Sequence, residues 1–335
     1  MRYFNSISNH VKPIMSGHDT FALRYGWSKK VYDRIEEQPY DVNIFSESSA
    51  ISALGVGKNM LNAMRHWAIH LGLIWRDNTN HNYHNTDGEA NEKTHRELGI
   101  SPNNDFYHAK QFFDDVQGID PFLESPTTLW LLHWALATNP NLITYYWFFN
   151  INTKSELTRD EFIRHIKEFL SKYPDIAIPS DSTIKKDVDC FILNYSSKRR
   201  KENEDIEGSI ESPLTELGLV SRPSQTQIRA LRGQKSSLSI HVFVYCLVRF
   251  WQTHNFNAGA LSLEMATFDE CSVGRVFMLD EETMINYAEQ LESFDYPIAW
   301  TQSAGIRQFQ LTQGHTLDET FKLSIKNMKT FDYVR

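Results

Sequence analysis

The chain has 335 residues, enough for two or three compact domains with sizeable cores. Its 41% hydrophobic and 23% charged residues are those of an ordinary soluble globular protein. A formal net charge of −8 argues against a stand-alone binder that grips polyanions by bulk charge, so a nucleic-acid contact would need a local patch or a larger complex.

The N-terminal Met1-Arg2-Tyr3-Phe4-Asn5 lacks the apolar core of a signal peptide. The longest apolar run, residues 238–251, is broken by His241 and Arg249 and falls short of the roughly 18 residues a membrane helix needs. Three distant cysteines (Cys190, Cys246, Cys271) exclude a disulfide framework and a CxxC knuckle, and suit a reducing cytoplasm. The expectation is a cytoplasmic protein without a membrane partner.

After the segment Ser16-Gly17-His18-Asp19-Thr20-Phe21, residues 47–55 and 58–72 read as two helices separated by Gly55-Val56-Gly57. Met60, Leu61, Met64, Trp67, Ala68 and Leu71 give the second helix one apolar face. Lys58, Asn59, Asn62 and His66 project from the other, with Arg65 on the boundary. Leu73-Ile74-Trp75 then starts a strand, which completes the outline of a winged helix-turn-helix. The stretch 77–97 reads as a solvated loop or an elaborated wing. Asp120-Pro121-Phe122-Leu123-Glu124-Ser125-Pro126 is a turn into a helix over 127–137, apolar nearly all round and therefore buried. Tyr145-Tyr146-Trp147-Phe148-Phe149 reads as core or as a docking surface.

Helices over 158–173 and 181–195 follow, and then Lys198-Arg199-Arg200-Lys201 opens a mixed-charge linker. The last block carries helices over 238–254 and 261–268, a third over 281–293 capped by Asp280, and a hairpin of 298–301 with 306–311. The predicted fold is mainly α with small β-wings: winged helix-turn-helix domains at 1–150 and 213–335 around a helical middle at 151–212.

Gly55-Val56-Gly57-Lys58 lacks the GxxxxGK[ST] pattern of a nucleoside-triphosphate loop, so no nucleotide or organic cofactor is expected. It suits a helix-turn-helix instead. The Gly57, Lys58 and Asn59 amides at a helix start can hold a DNA phosphate, while Asn59, Asn62 and Arg65 face base edges. Arg275 and Arg307 are further DNA candidates beside the C-terminal hairpin. His18, Asp19 and Arg24 are the catalytic candidates, since a His and an Asp can act as base or metal ligand and an Arg can meet anionic charge. Asp19 is the metal candidate. The alternative is that His18 and Asp19 cap a turn and Arg24 forms a buried ion pair. Asp120 and Glu124 either share a divalent metal or cap the buried helix. His81, His84 and His95 lack cysteine partners and regular zinc spacing. No metal-carboxylate nuclease motif occurs in the sequence.

Four segments together resemble a large bacterial family described only as a domain of unknown function. They are residues 16–27, Leu54-Gly55-Val56-Gly57-Lys58-Asn59-Met60 with Arg65-His66-Trp67, residues 120–134, and Gly274-Arg275-Val276-Phe277 with Ala304-Gly305-Ile306-Arg307-Gln308. Members of that family sit beside sulfur-transfer proteins and are linked to a single-strand DNA phosphorothioation system. The resemblance covers 16–150 well and 238–311 loosely. It implies DNA nicking in a modification and phage-defence system, with Mg²⁺ or Mn²⁺. It also implies a cysteine desulfurase, an ATP pyrophosphatase and an ATPase as partners. Two departures stand out: Asp19 where the family usually has Glu, and Ala22-Leu23 in place of Pro-Phe. The runner-up is a non-catalytic subunit that binds DNA and recruits the sulfur-transfer enzymes. A third reading is a scaffold whose winged helices bind protein.

Overall fold

The computed structural model describes residues 11–37, 45, 47–71, 120–197, 211–255, 258–303 and 305–333. Its chain divides into two compact units, one of Ser16–Glu124 and one of Met1–Met15 with Ser125–Arg335. The expected strand at 73–75, the loop at 77–97 with His81, His84 and His95, and the basic run 198–201 lie outside the described residues. Among the described residues, no helix is long and apolar enough to cross a membrane.

The smaller unit contains α1 (Trp27–Glu37), α2 (Glu47–Leu54) and α3 (Lys58–His70). Gly55 turns the chain out of α2 with a φ of 63°, and its N–H and that of Val56 both close on the Ile51 carbonyl. Left-handed backbone here favours glycine, which lacks the Cβ that would clash. Leu61, Ala63, Met64, Trp67 and Ala68 bury the apolar face of α3, while Lys58, Asn59, Asn62 and Arg65 are exposed. His66 departs from the sequence reading: it is buried, not outward, because the loop of residues 16–21 packs over it.

The larger unit opens with α4 (Pro126–Ala137). Its N-cap is Ser125, whose hydroxyl accepts from the Thr127 N–H. Asp120 instead accepts from the Glu124 N–H in the turn before it. A short α5 (Ile143–Tyr146) runs into a π-helical turn (Trp147–Ile151). The aromatic run is core, with Tyr145, Tyr146, Trp147, Phe148 and Phe149 all buried. Each such ring stabilises the fold by about 1.5–3 kcal/mol on burial.

Next come β1 (Glu156–Thr158), α6 (Arg159–Leu170), α7 (Asp181–Tyr195), β2 (Val220–Ser221) and β3 (Gln227–Ala230). The strands form an antiparallel sheet in the order β1-β3-β2. The middle of the chain is thus not purely helical. Three strands of two to four residues carry too little alternation to stand out in sequence. Glu156 lies opposite Arg229 and pairs with it at 2.6 Å, which fixes the register.

The same arrangement then repeats. α8 (Ile240–Asn255) leads to β4 (Ala260–Ser262), α9 (Leu263–Phe268), α10 (Val273–Val276), α11 (Glu281–Gln290), β5 (Ile298–Ser303) and β6 (Ile306–Leu311). Its sheet order is β4-β6-β5. The residues read as the start of one helix at 261 divide between β4 and α9, because Ser262 caps α9 through the Met265 N–H. Asp280 caps α11 as expected, accepting from the Thr283 N–H at 2.9 Å. A terminal helix, α12 (Leu317–Asn327), packs along α8. The fold is mainly α with two small antiparallel sheets.

Candidate functional site

The smaller unit brings the first two sequence segments together. Trp67 on α3 donates its indole N–H to the Phe21 carbonyl at 3.1 Å. Asn62, one turn earlier, donates its amide to Asp19 Oδ2 at 2.8 Å. His66, at i+4 from Asn62, meets the same loop: a Cβ on Gly17 would lie 2.7 Å from His66 Nδ1. The His18 ring stacks on Trp67 and meets His66 edge-on, with centroids 6.3 and 5.5 Å away.

The loop itself is held in an unusual backbone. Ser16, Asp19 and Thr20 have φ values of 65°, 45° and 68°. Left-handed angles in non-glycine residues cost about 1–3 kcal/mol each, a β-branched Thr most of all, and such strain clusters at functional sites. The Asp19 N–H closes on the Ser16 carbonyl, and the Phe21 N–H on that of His18.

His18 is 1% exposed, and its Nδ1 accepts from the Thr20 N–H at 3.0 Å. That bond fixes the neutral tautomer with the proton on Nε2. His18 therefore shapes the turn; as a general base it would first have to give up this bond. Asp19 is half-buried, and its carboxylate sits over the exposed side of α3. Arg24 lies over the rings of Phe21 and Trp27, with centroids 5.6 and 5.5 Å away, which orients the guanidinium.

His66 Nε2 is buried without a hydrogen-bond partner, and burial, aided by His70 and His18, holds its imidazole well below the usual value. A buried orphan beside strained backbone marks a place where packing yields to another demand.

The face of α3 nearest Asp19 carries the exposed Lys58, Asn59, Asn62 and Arg65, led by Gly57, which supplies no side-chain cap. An N-terminus without a capping side chain favours an anion, because its first-turn N–H groups point outward. The other two candidates lie in the larger unit. Arg275 Nε donates to the Phe268 carbonyl at 2.9 Å, and its Nη1 reaches the Asn152 carbonyl at 3.5 Å. Burial lowers its pKa, so Arg275 ties chain segments together. Arg307 on β6 pairs with Glu281 in the first turn of α11 and anchors the hairpin there.

Among the described residues, no group of three or more His, Cys, Asp or Glu side chains is placed to hold a metal ion. Asp19 and Asn62 offer hard oxygen donors. Such a pair suits Mg²⁺ or Mn²⁺ only as a minority of the ligands, the rest being water and phosphate.

Two solved structures resemble this chain, one a magnesium ion-bound SspB and the other SspB. Each is 26% identical with a TM-score of 0.74, over 96% of this chain and 88% of the other. Among curated proteins nothing matches. The family of proteins of unknown function DUF4007 matches residues 15–324, and the chain belongs to it.

Proposed function

We propose that this protein is the DNA-engaging, strand-nicking component of a bacterial DNA phosphorothioate modification and defence system. The observation that carries the reading is the bond between Asn62 and Asp19. It sets a carboxylate on a strained loop beside the exposed Lys58, Asn59 and Arg65 of a helix start. Similarity to SspB over nearly the whole chain supports the system to which it is assigned.

In this reading the α3 N-terminus and Lys58 hold the DNA backbone, and Asn59, Asn62 and Arg65 meet base edges. Asp19 takes the proton of a water whose oxygen attacks phosphorus. The P–O bond on one strand breaks, and the departing oxygen leaves with a proton from solvent. Arg24 meets the charge that develops on phosphate. Asp19 would be the side chain to hold Mg²⁺ or Mn²⁺, which would supply Lewis acidity there. The two modules of the larger unit, each a strand, then helices, then two strands, with sheet orders β1-β3-β2 and β4-β6-β5, support a winged-helix reading there, the second module carrying one helix more. In that reading α7 and α11 are recognition helices.

The system's cysteine desulfurase, ATP pyrophosphatase and ATPase would handle the sulfur. This chain's cysteines are unsuited to it: all three are buried, and burial raises their thiols, Cys271 to about 12. A non-catalytic recruiting subunit is the second reading, favoured by the lack of a three-ligand metal group among the described residues.

Titrating the protein against a labelled duplex at several salt concentrations tests DNA engagement. Affinity is expected to fall steeply with salt, and Lys58→Ala to flatten the log–log slope by about one. Binding that is absent, or blind to salt, contradicts the proposal.

A further inference from the structure

The larger unit holds a cavity of about 420 Å³ beside the start of α8, within the ~300–1,000 Å³ span of small-ligand sites. Tyr287 forms part of its wall and is fixed there: its ring lies parallel to Phe243 at 4.5 Å, and its hydroxyl donates to the Leu238 carbonyl. His241 is fixed too, with Nδ1 2.7 Å from the Tyr296 hydroxyl. Its ring meets Phe294 edge-on at 5.4 Å and stacks on Phe331 at 5.3 Å. Phe294 and Phe331 themselves are 40% and 64% exposed. Two large exposed rings, both against His241, line this one cavity, and exposed apolar side chains gathered at one place on a folded protein mark binding sites.

The same face of α11 that carries Tyr287 continues the lining with the exposed Asn286 and Gln290. Lys235 supplies a cation, anchored by donating to the Leu231 carbonyl at 2.7 Å. Among the described residues Asp332 is the one carboxylate lining the cavity, and it already accepts from the hydroxyls of Ser239 and Thr127. One engaged carboxylate does not make a divalent-cation site. Gln290 Nε2 already donates to the Asn286 carbonyl at 3.0 Å, so the Gln290 carbonyl oxygen, the Asn286 amide and Lys235 are the polar lining a ligand would meet. What fits all of them is a flat, polar-edged ring that carries an anion.

We propose that this cavity receives an unpaired nucleobase of bound DNA, stacked on Phe331 and Phe294. Its edge meets Asn286 and Gln290, and its phosphate lies on the Lys235 side. Aromatic stacking accepts any base, because each has a π face, and side-chain amides offer both donors and acceptors to its edge. A base that has left the duplex stack is held in such pockets by stacking on rings and hydrogen bonds to its edge. The proposal rests on the DNA engagement inferred above, and places the base beside the helix read there as a recognition helix.

The test uses the whole chain with two duplexes of one sequence, one fully paired and one with a single bulged 2-aminopurine. Wild type is expected to bind the bulged duplex about tenfold more tightly and to quench the 2-aminopurine. Phe331→Ala, at an exposed position outside α11, is expected to lose that preference while affinity for the paired duplex stays within about twofold. No preference in wild type, or a preference that survives Phe331→Ala, overturns the proposal. If neither duplex binds, the DNA reading fails separately, and calorimetry with deoxyadenosine monophosphate then decides the cavity. Saturable heat lost in Phe331→Ala supports a base site, and no heat overturns it.

Discussion

His133 donates its Nε2–H to the Val276 carbonyl and accepts at Nδ1 from the Tyr195 hydroxyl, both at 2.8 Å. One buried imidazole thereby joins α4 to α7 of the first sheet module and α10 of the second. Burial, with Lys235 nearby and against the Val276 bond, lowers its pKa from 6.5 to about 3. Between pH 3 and 6.5 the unfolded chain binds a proton that the folded chain refuses. Stability is therefore intact above pH 6.5 and is lost as pH falls toward 3, by about 5 kcal/mol at the limit. His66, shifted in the same direction, adds to the loss. Denaturant melts at pH 7.5 and 4.5 are expected to show this fall, and a His133→Gln variant a shallower one. Equal stability at the two pH values would contradict the assignment.

Gly274 lies where α10 crosses the end of α9. A Cβ there would stand 2.4 Å from the Thr267 carbonyl oxygen and 2.5 Å from its Cα, both backbone atoms that cannot turn aside. Gly274→Ala is expected to cost about 3 kcal/mol and lower Tm by roughly 5–10 °C. Arg275→Lys should cost less, about 1 kcal/mol, by weakening the bonds to Phe268 and Asn152. A wild-type Tm for Gly274→Ala would show that the close approach is wrong.

Gly17 faces His66 in the same way, but here the obstacle is a side chain. Gly17→Ala alone is expected to destabilise by about 1–3 kcal/mol. The double variant Gly17→Ala with His66→Ala removes both the clash and the unpartnered Nε2, so it should be more stable than Gly17→Ala alone. A purely additive loss would mean that the two residues do not share the contact.

Amphipathic spacing made α3, α7, α8 and the buried α4 legible in sequence, because each buries a long stripe or its whole surface. The strands at 156–158, 220–221 and 227–230 were not legible. They are too short for a period of two, and their partner is distant in sequence: Leu157 pairs with Ile228. At the candidate site, residues 16–27 and 54–67 were legible as separate segments. That Asn62 holds Asp19, and that His66 turns inward against Gly17, follows from how the loop folds back. No local pattern encodes that. Arg275 was a DNA candidate in the sequence; its bond to the Asn152 carbonyl is visible only once the two sheet modules pack together.

The central claim is that a strand is cut beside Asp19. Supercoiled plasmid incubated with the pure protein and Mg²⁺ or Mn²⁺ tests it directly, with wild type, Asp19→Ala and Lys58→Ala compared. The account predicts open-circle product from wild type and a rate about 100-fold lower for Asp19→Ala, with duplex affinity kept. It also predicts a loss for Lys58→Ala that grows with salt. Wild type that leaves the plasmid supercoiled, or Asp19→Ala that nicks at the wild-type rate, would contradict it.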